Sequence, residues 1–224
     1  MKNMRDYQKT HQKLLNSGLK LFLALNFETT SVRQICKSAD VTTGAFYKHF
    51  ETKDALIDEL VAPYLMGLKD IYNQGVAHFQ AFVHTVDIQA ADTNVDFVKV
   101  YWEKNSDELE PIITYMYQHA DITKLILFKS DGSQYENILE QITHFSEMRV
   151  METLKWLQEK HLIKRDMQDQ GENIHLYIYA YLATVFDILM HEYTLEKTKR
   201  LIHEVYLFMM PSWIAYLLTS DVDI

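Results

Sequence analysis

The sequence predicts an all-α protein: a three-helix, helix-turn-helix head followed by a larger all-helical body. Three observations carry that expectation. Glycine (6) and proline (3) are scarce among 224 residues, too few for the many tight turns of a sandwich or barrel. Leu, Lys, Glu, Gln, Met and Ala, which all favour helix, are plentiful. Apolar residues recur at spacings of three, four and seven over 5–25 and again over 31–39. A hydrophobic share of 48% against 24% charged residues excludes a disordered chain and allows a sizeable core.

The first helix is expected over 5–25. Tyr7, Leu14, Leu21 and Leu25, joined by Leu15, Leu19 and Phe22, mark one apolar face. Lys9, Lys13 and Lys20 fall within about 40° of one another on an ideal helix, as a basic stripe opposite that face. Such a stripe suits either solvent or phosphate. A second helix spans 31–39. Ser31 and Gln34 have the spacing of a capping box, and Val32, Ile35, Cys36 and Ala39 form its buried face. Cys36 is most simply a small core residue. Asp40 and Val41 make a tight turn. A third helix follows over 42–49, capped by Thr42, with Phe46 and Phe50 inward and Thr43, Gly44, Tyr47, Lys48 and His49 outward. Thr52 caps a fourth helix through Leu56, Ile57, Leu60 and Val61, which Pro63 is expected to bend or break.

Further helices are expected near 66–84, 94–105, 109–128 and 135–160, with a loop at Lys129–Gln134 and a connector at His161–Gly171. The last two, 172–192 and 195–218, are apolar on nearly every side. A helix of that kind needs partners all round, which points to a subunit interface and a homodimer. Both contain stretches long enough to consider as membrane spans. His175, Thr184 and Asp187 in one, and His203, Glu204 and Pro211 in the other, argue for soluble helices instead. The first residues lack the apolar run of a secretory signal. A single cysteine excludes an intrachain disulfide and a Cys-rich zinc site, and a reducing, cytoplasmic setting is expected.

The net charge of −9 is unevenly spread. Residues 1–53 hold nine bases against four acids, a net of +5, whereas the rest carries −14. A small basic head on an acidic protein is compatible with local phosphate binding. Catalytic signatures are missing: no G-x-S-x-G, no H-E-x-x-H and no P-loop. The ten histidines show no metal-ligand spacing, so neither enzyme, cofactor nor metal is expected.

Two short helices joined by a tight turn after a longer amphipathic helix form a helix-turn-helix unit. Its third helix would enter the major groove by its N-terminal end, where Thr42, Thr43, Gly44 and Ala45 are small enough for close approach. The stretch Thr30 to Leu56, above all Thr43-Gly44, Phe46-Tyr47, His49-Phe50 and Lys53, resembles the DNA-binding domain of TetR-type transcriptional regulators. Leu21-Phe22 in the first helix fits the same pattern. The resemblance covers residues 5–60. It departs at Asn26 and Asp40, where the family has glycine, and at Cys36, where it has alanine. Asn and Asp both tolerate the left-handed conformation.

The resemblance implies a division into a DNA-binding domain, 1–60, and a ligand-sensing and dimerisation domain, 61–224. Ser31 would cap the second helix and touch phosphate. Arg33 would reach a base edge, guanine being the base its fork pairs with. Thr42, Thr43, Gly44 and Ala45 would lie against the groove. Tyr47 and His49 would bind phosphates, or Tyr47 a thymine methyl. Lys48 would reach base or phosphate, and Lys53 would grip a phosphate. In the body, Phe97, Tyr101, Trp102, Tyr115, Met116, Tyr117, His119, Phe128, Tyr177 and Tyr181 are candidates to line an apolar effector pocket, or else belong to ordinary core and dimer interface. The implied function is a dimeric repressor, released from a palindromic operator by a small hydrophobic or aromatic ligand. The alternatives are an activator, a protein-partnered regulator, or a small-molecule-binding adaptor whose head no longer reads DNA.

Overall fold

Local capping signals set the first elements of the structure, a computed structural model that describes residues 2–85 and 109–219. Helix α1, Lys2–Leu25, buries Leu14, Leu15 and Phe22. It ends at Asn26, which takes the left-handed conformation (φ 89°) and whose Oδ1 accepts from the amide of Thr29 at 2.9 Å and its hydroxyl at 2.7 Å. Helix α2, Val32–Ala39, starts with the full capping box of Ser31 and Gln34. It ends at Asp40, also left-handed (φ 55°), with Val41 N–H closing onto Cys36 O at 3.0 Å. Ile35, Cys36 and Ala39 are buried, as their spacing requires.

Helix α3 is shorter than expected, Thr43–Phe46, with the Thr42 hydroxyl accepting from Ala45 N–H at 3.1 Å. The chain then tightens: Lys48 N–H bonds Ala45 O and His49 N–H bonds Phe46 O, both three residues back. This tightening brings Phe50 under Phe46, and both rings are buried.

Helix α4, Lys53–Thr85, differs from expectation. It runs unbroken through Pro63 and absorbs the segment predicted as a separate helix at 66–84. A proline removes one backbone bond, but the apolar pattern continues through Tyr64, and the helix carries on past Gly67. The predicted helix at 109–128 is in fact two, α5 Leu109–Gln118 and α6 Ala120–Phe128, broken at His119 (φ −118°, ψ 41°). The buried Thr123 hydroxyl donates to Met116 O across the break at 2.9 Å and pairs with Tyr64 Oη at the same distance. The predicted helix at 94–105 lies outside the described residues.

Helix α7, Ile138–Glu159, begins three residues later than expected. Ser130, Ser133 and Tyr135 instead extend the preceding loop through a buried turn. Helices α8, Gly171–Met190, and α9, Leu195–Leu218, match their expected spans within two residues. Both are long and apolar enough, by length and composition alone, to cross a membrane. Every described element is helical or turn; there is no strand among the described residues.

The chain divides into two compact units. One comprises residues 1–69 and 116–138, the other 70–115 and 139–224. The first holds α1–α3, the start of α4, α6 and the loop after it. Within it, Phe27 N–H bonds Lys129 O at 2.8 Å, and Gly132, with φ 76°, packs so closely on Glu28 that an added Cβ would lie 3.1 Å away. The second has its core in Leu154, Leu157, Leu162, Ile163, Met167, Ile174, Ile178 and Leu217. The connector at 161–171 contributes to that core: Arg165 donates from Nε to Tyr216 O at 2.8 Å and stacks over the Tyr216 ring.

Candidate nucleic-acid interface

The exposed side of α2 and α3 gathers most of the residues singled out in the head. Phe46 and Phe50, buried beneath α3, turn Thr42, Thr43, Gly44, Tyr47 and Lys48 to solvent. Tyr47 is 59% exposed and meets Phe46 edge-on. An aromatic ring left this open, beside small residues and a lysine, has surface to offer a partner. Ser31 and Arg33 are exposed on α2, whereas Ala45 is half-buried. Ser31 is already used as a cap, its hydroxyl held by Gln34. Of the basic stripe on α1, Lys9, Lys13 and Lys20 are exposed.

Two predicted contact residues have unforeseen surroundings. Lys53 stands at the start of α4, but its ammonium donates to the carbonyls of Phe27 (2.6 Å), Thr30 (2.9 Å) and Glu28 (3.4 Å). It also lies 4.0 Å from the centre of the Phe27 ring. Burial lowers its pKa, opposed by the nearby charges of Asp54 and Glu28.

His49 is half-buried between α1 and α4. Its ring lies 4.0 Å from that of Tyr7, and its Nδ1 is 3.3 Å from Nδ1 of His11. His11 in turn donates from Nε2 to Glu59 Oε1 at 2.5 Å. Tyr7 Oη reaches Lys48 O at 3.4 Å. Burial and the neighbouring His11 lower the pKa of His49, and Glu59 partly offsets them. The partners His11 and Glu59 were not foreseen. They lie 38 and 10 residues from His49 in the chain, and no spacing rule connects separate helices.

The residues proposed for an effector pocket are distributed between the units. Met116, Tyr117, His119 and Phe128 belong to the first, and Tyr115, Tyr177 and Tyr181 to the second. Met116 is buried, and His119 meets Tyr64 edge-on. Tyr177 packs edge-on against Trp213 and Tyr216. The Tyr181 hydroxyl is buried without a hydrogen-bond partner among the described residues, and that burial raises its pKa. Phe97, Tyr101 and Trp102 lie outside the described residues.

Comparison with known proteins agrees with this geometry. Residues 14–60 match the family model of bacterial regulatory proteins of the tetR family. The HTH-type transcriptional regulator UidR of Escherichia coli is 36% identical over 62 residues, 27% of this chain and 32% of its own length. The Tn10 TetC protein of Escherichia coli is 29% identical over 115 residues, 48% of this chain and 55% of its own. The matches thus span between about a third and about half of these relatives. A transcriptional regulator of the TetR/AcrR type from Aquifex aeolicus has the same fold, with TM-score 0.53 and 20% identity over 89% of this chain and 99% of that one. NalD of Pseudomonas aeruginosa, a secondary repressor of a multidrug efflux pump, gives TM-score 0.54 and 16% identity over 91% and 96%. The head, with its caps and buried phenylalanines in place, is thus similar over residues 14–60 to the DNA-binding region of bacterial regulatory proteins of the tetR family, and the chain shares the helical fold of these solved regulators.

Proposed function

We propose that the protein is a dimeric transcriptional repressor of the cytoplasm that binds a palindromic operator and is released by a small hydrophobic or aromatic ligand. Residues 1–60 supply the DNA-binding domain and residues 61–224 the sensing and dimerisation domain. The observation that carries this reading is the open surface of Thr42, Thr43, Gly44, Tyr47 and Lys48 above the buried Phe46 and Phe50. Thr42, Thr43, Gly44 and Ala45 face the groove, Arg33 and Lys48 reach base edges, Tyr47 and His49 hold phosphates, and Ser31 acts through the cap, since its hydroxyl already donates to Gln34. At Lys53 the ammonium braces the turn before α2. The contact at that position comes from the first amides of α4, ahead of Ala55, whose own N–H is taken by the Thr52 hydroxyl.

One head reads only a few base pairs, so a dimer on two half-sites is needed for specificity. Exposed Leu176, Tyr177 and Tyr179 on α8, with Leu207 and Phe208 on α9, supply the apolar face for a second copy. Nothing in the reading calls for catalysis, a metal or a cofactor. A ligand that binds the DNA-incompetent state more tightly lowers operator affinity by that difference. Tyr115, Met116, Tyr117, His119, Phe128, Tyr177 and Tyr181, with Phe97, Tyr101 and Trp102, are the candidates to meet it.

Selection of bound sequences from random duplex DNA, at controlled near-physiological salt, tests the reading directly. An enriched palindrome supports a sequence-specific dimer. Recovery of unenriched DNA would overturn it.

A further inference from the structure

The histidine assigned to the DNA backbone stands at the end of a hydrogen-bonded chain that begins on α4. Glu59 accepts from Nε2 of His11, and Nδ1 of His11 lies 3.3 Å from Nδ1 of His49. An ionised carboxylate only accepts, so Glu59 fixes a proton on Nε2 of His11. In neutral His11 the other nitrogen is then a lone pair, and Nδ1 of His49 must donate to it. This leaves Nε2 of His49 as a bare acceptor, with no hydrogen-bond partner among the described residues. A phosphate oxygen is also an acceptor. The neutral pair therefore opposes the contact that His49 is to make.

One added proton reverses this, whichever ring takes it. On His49 it gives an imidazolium whose Nε2 donates outward while Nδ1 still donates to His11. On His11 it makes Nδ1 the donor to His49, whose own proton then sits on Nε2 and again donates. The one proton acts on the hydrogen-bonded pair, whichever ring carries it. We propose that His11 and Glu59 are positioning residues that set the protonation of His49, so that the head takes up one proton as it binds its operator.

The proposal rests on the reading of the head as a DNA-binding surface. Among the described residues, the titratable and charged groups facing His49 are Tyr7 and His11 from α1 and Glu59 from α4. Burial and His11 disfavour charge on His49 in the free protein, more than Glu59 restores it. An arriving phosphate supplies the missing counter-charge.

Two measurements on the full chain test this. Long-range proton–nitrogen NMR at pH 8, without DNA, is expected to find the His49 proton on Nδ1; a proton on Nε2 overturns the proposal. Affinity for a duplex enriched from random DNA is then followed from pH 6 to 8.5 at constant ionic strength. It is expected to weaken with rising pH, approaching about tenfold per pH unit for one linked proton. His11→Phe, which keeps a ring against Phe50, is expected to flatten that slope to below about twofold per unit, as is His49→Gln. A wild-type slope that persists in His11→Phe overturns the relay, as does flat wild-type binding, while leaving the DNA reading intact. Failure to enrich any duplex, even at pH 6, overturns the DNA reading and this proposal with it.

Discussion

An ammonium group has three donors, and at Lys53 all three meet carbonyl oxygens of the turn between α1 and α2. Removing it leaves the Phe27 and Thr30 carbonyls short of a charged donor. Lys53→Met is expected to lower unfolding stability by about 2 kcal/mol, read by urea denaturation, and to weaken DNA binding as a consequence. Unchanged stability with lost binding would return Lys53 to direct phosphate contact. Tyr47 makes the opposite case. It is largely exposed, so Tyr47→Ala is expected to shift stability by no more than about 0.5 kcal/mol while abolishing or strongly weakening operator binding. His49 adds a pH dependence to folding itself. Its pKa is lowered in the folded state, so as pH falls below the ordinary value of 6.5 the unfolded chain takes up a proton that the folded one resists. Stability is therefore lost toward acid. Wild type is expected to lose more than His49→Gln between pH 7.5 and 5.5 in parallel denaturations.

At the scale of elements, two left-handed residues end the first two helices, and neither is glycine. They are not equivalent. Asp40 makes no side-chain bond that supports the turn among those described, so Asp40→Gly relieves backbone strain and is expected to stabilise by up to about 1 kcal/mol. Asn26 accepts two hydrogen bonds from Thr29, so Asn26→Gly gains the same relief and loses both. It is expected to be neutral or destabilising by about 1 kcal/mol in thermal melts. An equal gain at both positions would refute the role given to the Asn26 side chain. The caps at Ser31 and Thr42 were legible in the sequence because their partners lie three residues away. The break at His119 was not, because Tyr64, which pairs with Thr123 there, lies 59 residues off. The same holds for His49: it was expected to face outward, but Tyr7 and His11 on another helix half-bury it, and those partners could not be read. Pro63 misled in the other direction, since a single missing backbone bond does not end a helix whose neighbours remain apolar.

At the scale of the whole molecule, charge is unevenly spread and the last two helices expose large apolar side chains. The basic excess lies in residues 1–53, and the acidic remainder would repel a phosphate backbone. Phe208 is 83% exposed, far more than a large apolar ring gains by facing water. If α8 and α9 meet a second copy, Phe208→Glu is expected to convert dimers to monomers in analytical ultracentrifugation and to weaken operator binding through loss of the paired half-site. A variant as dimeric as the wild type would move the interface elsewhere.

The tie between Phe27 and Lys129 also bears on how this protein can be dissected. A fragment cut at residue 60 would lose the acceptor of the Phe27 amide, the Glu28 packing on Gly132, and the bonds that Gln134 and Tyr135 make to Asp58. The smallest piece with a whole core is discontinuous in the chain. A useful truncation would have to join residues 1–69 to 116–138 by a designed linker rather than stop after the recognisable motif.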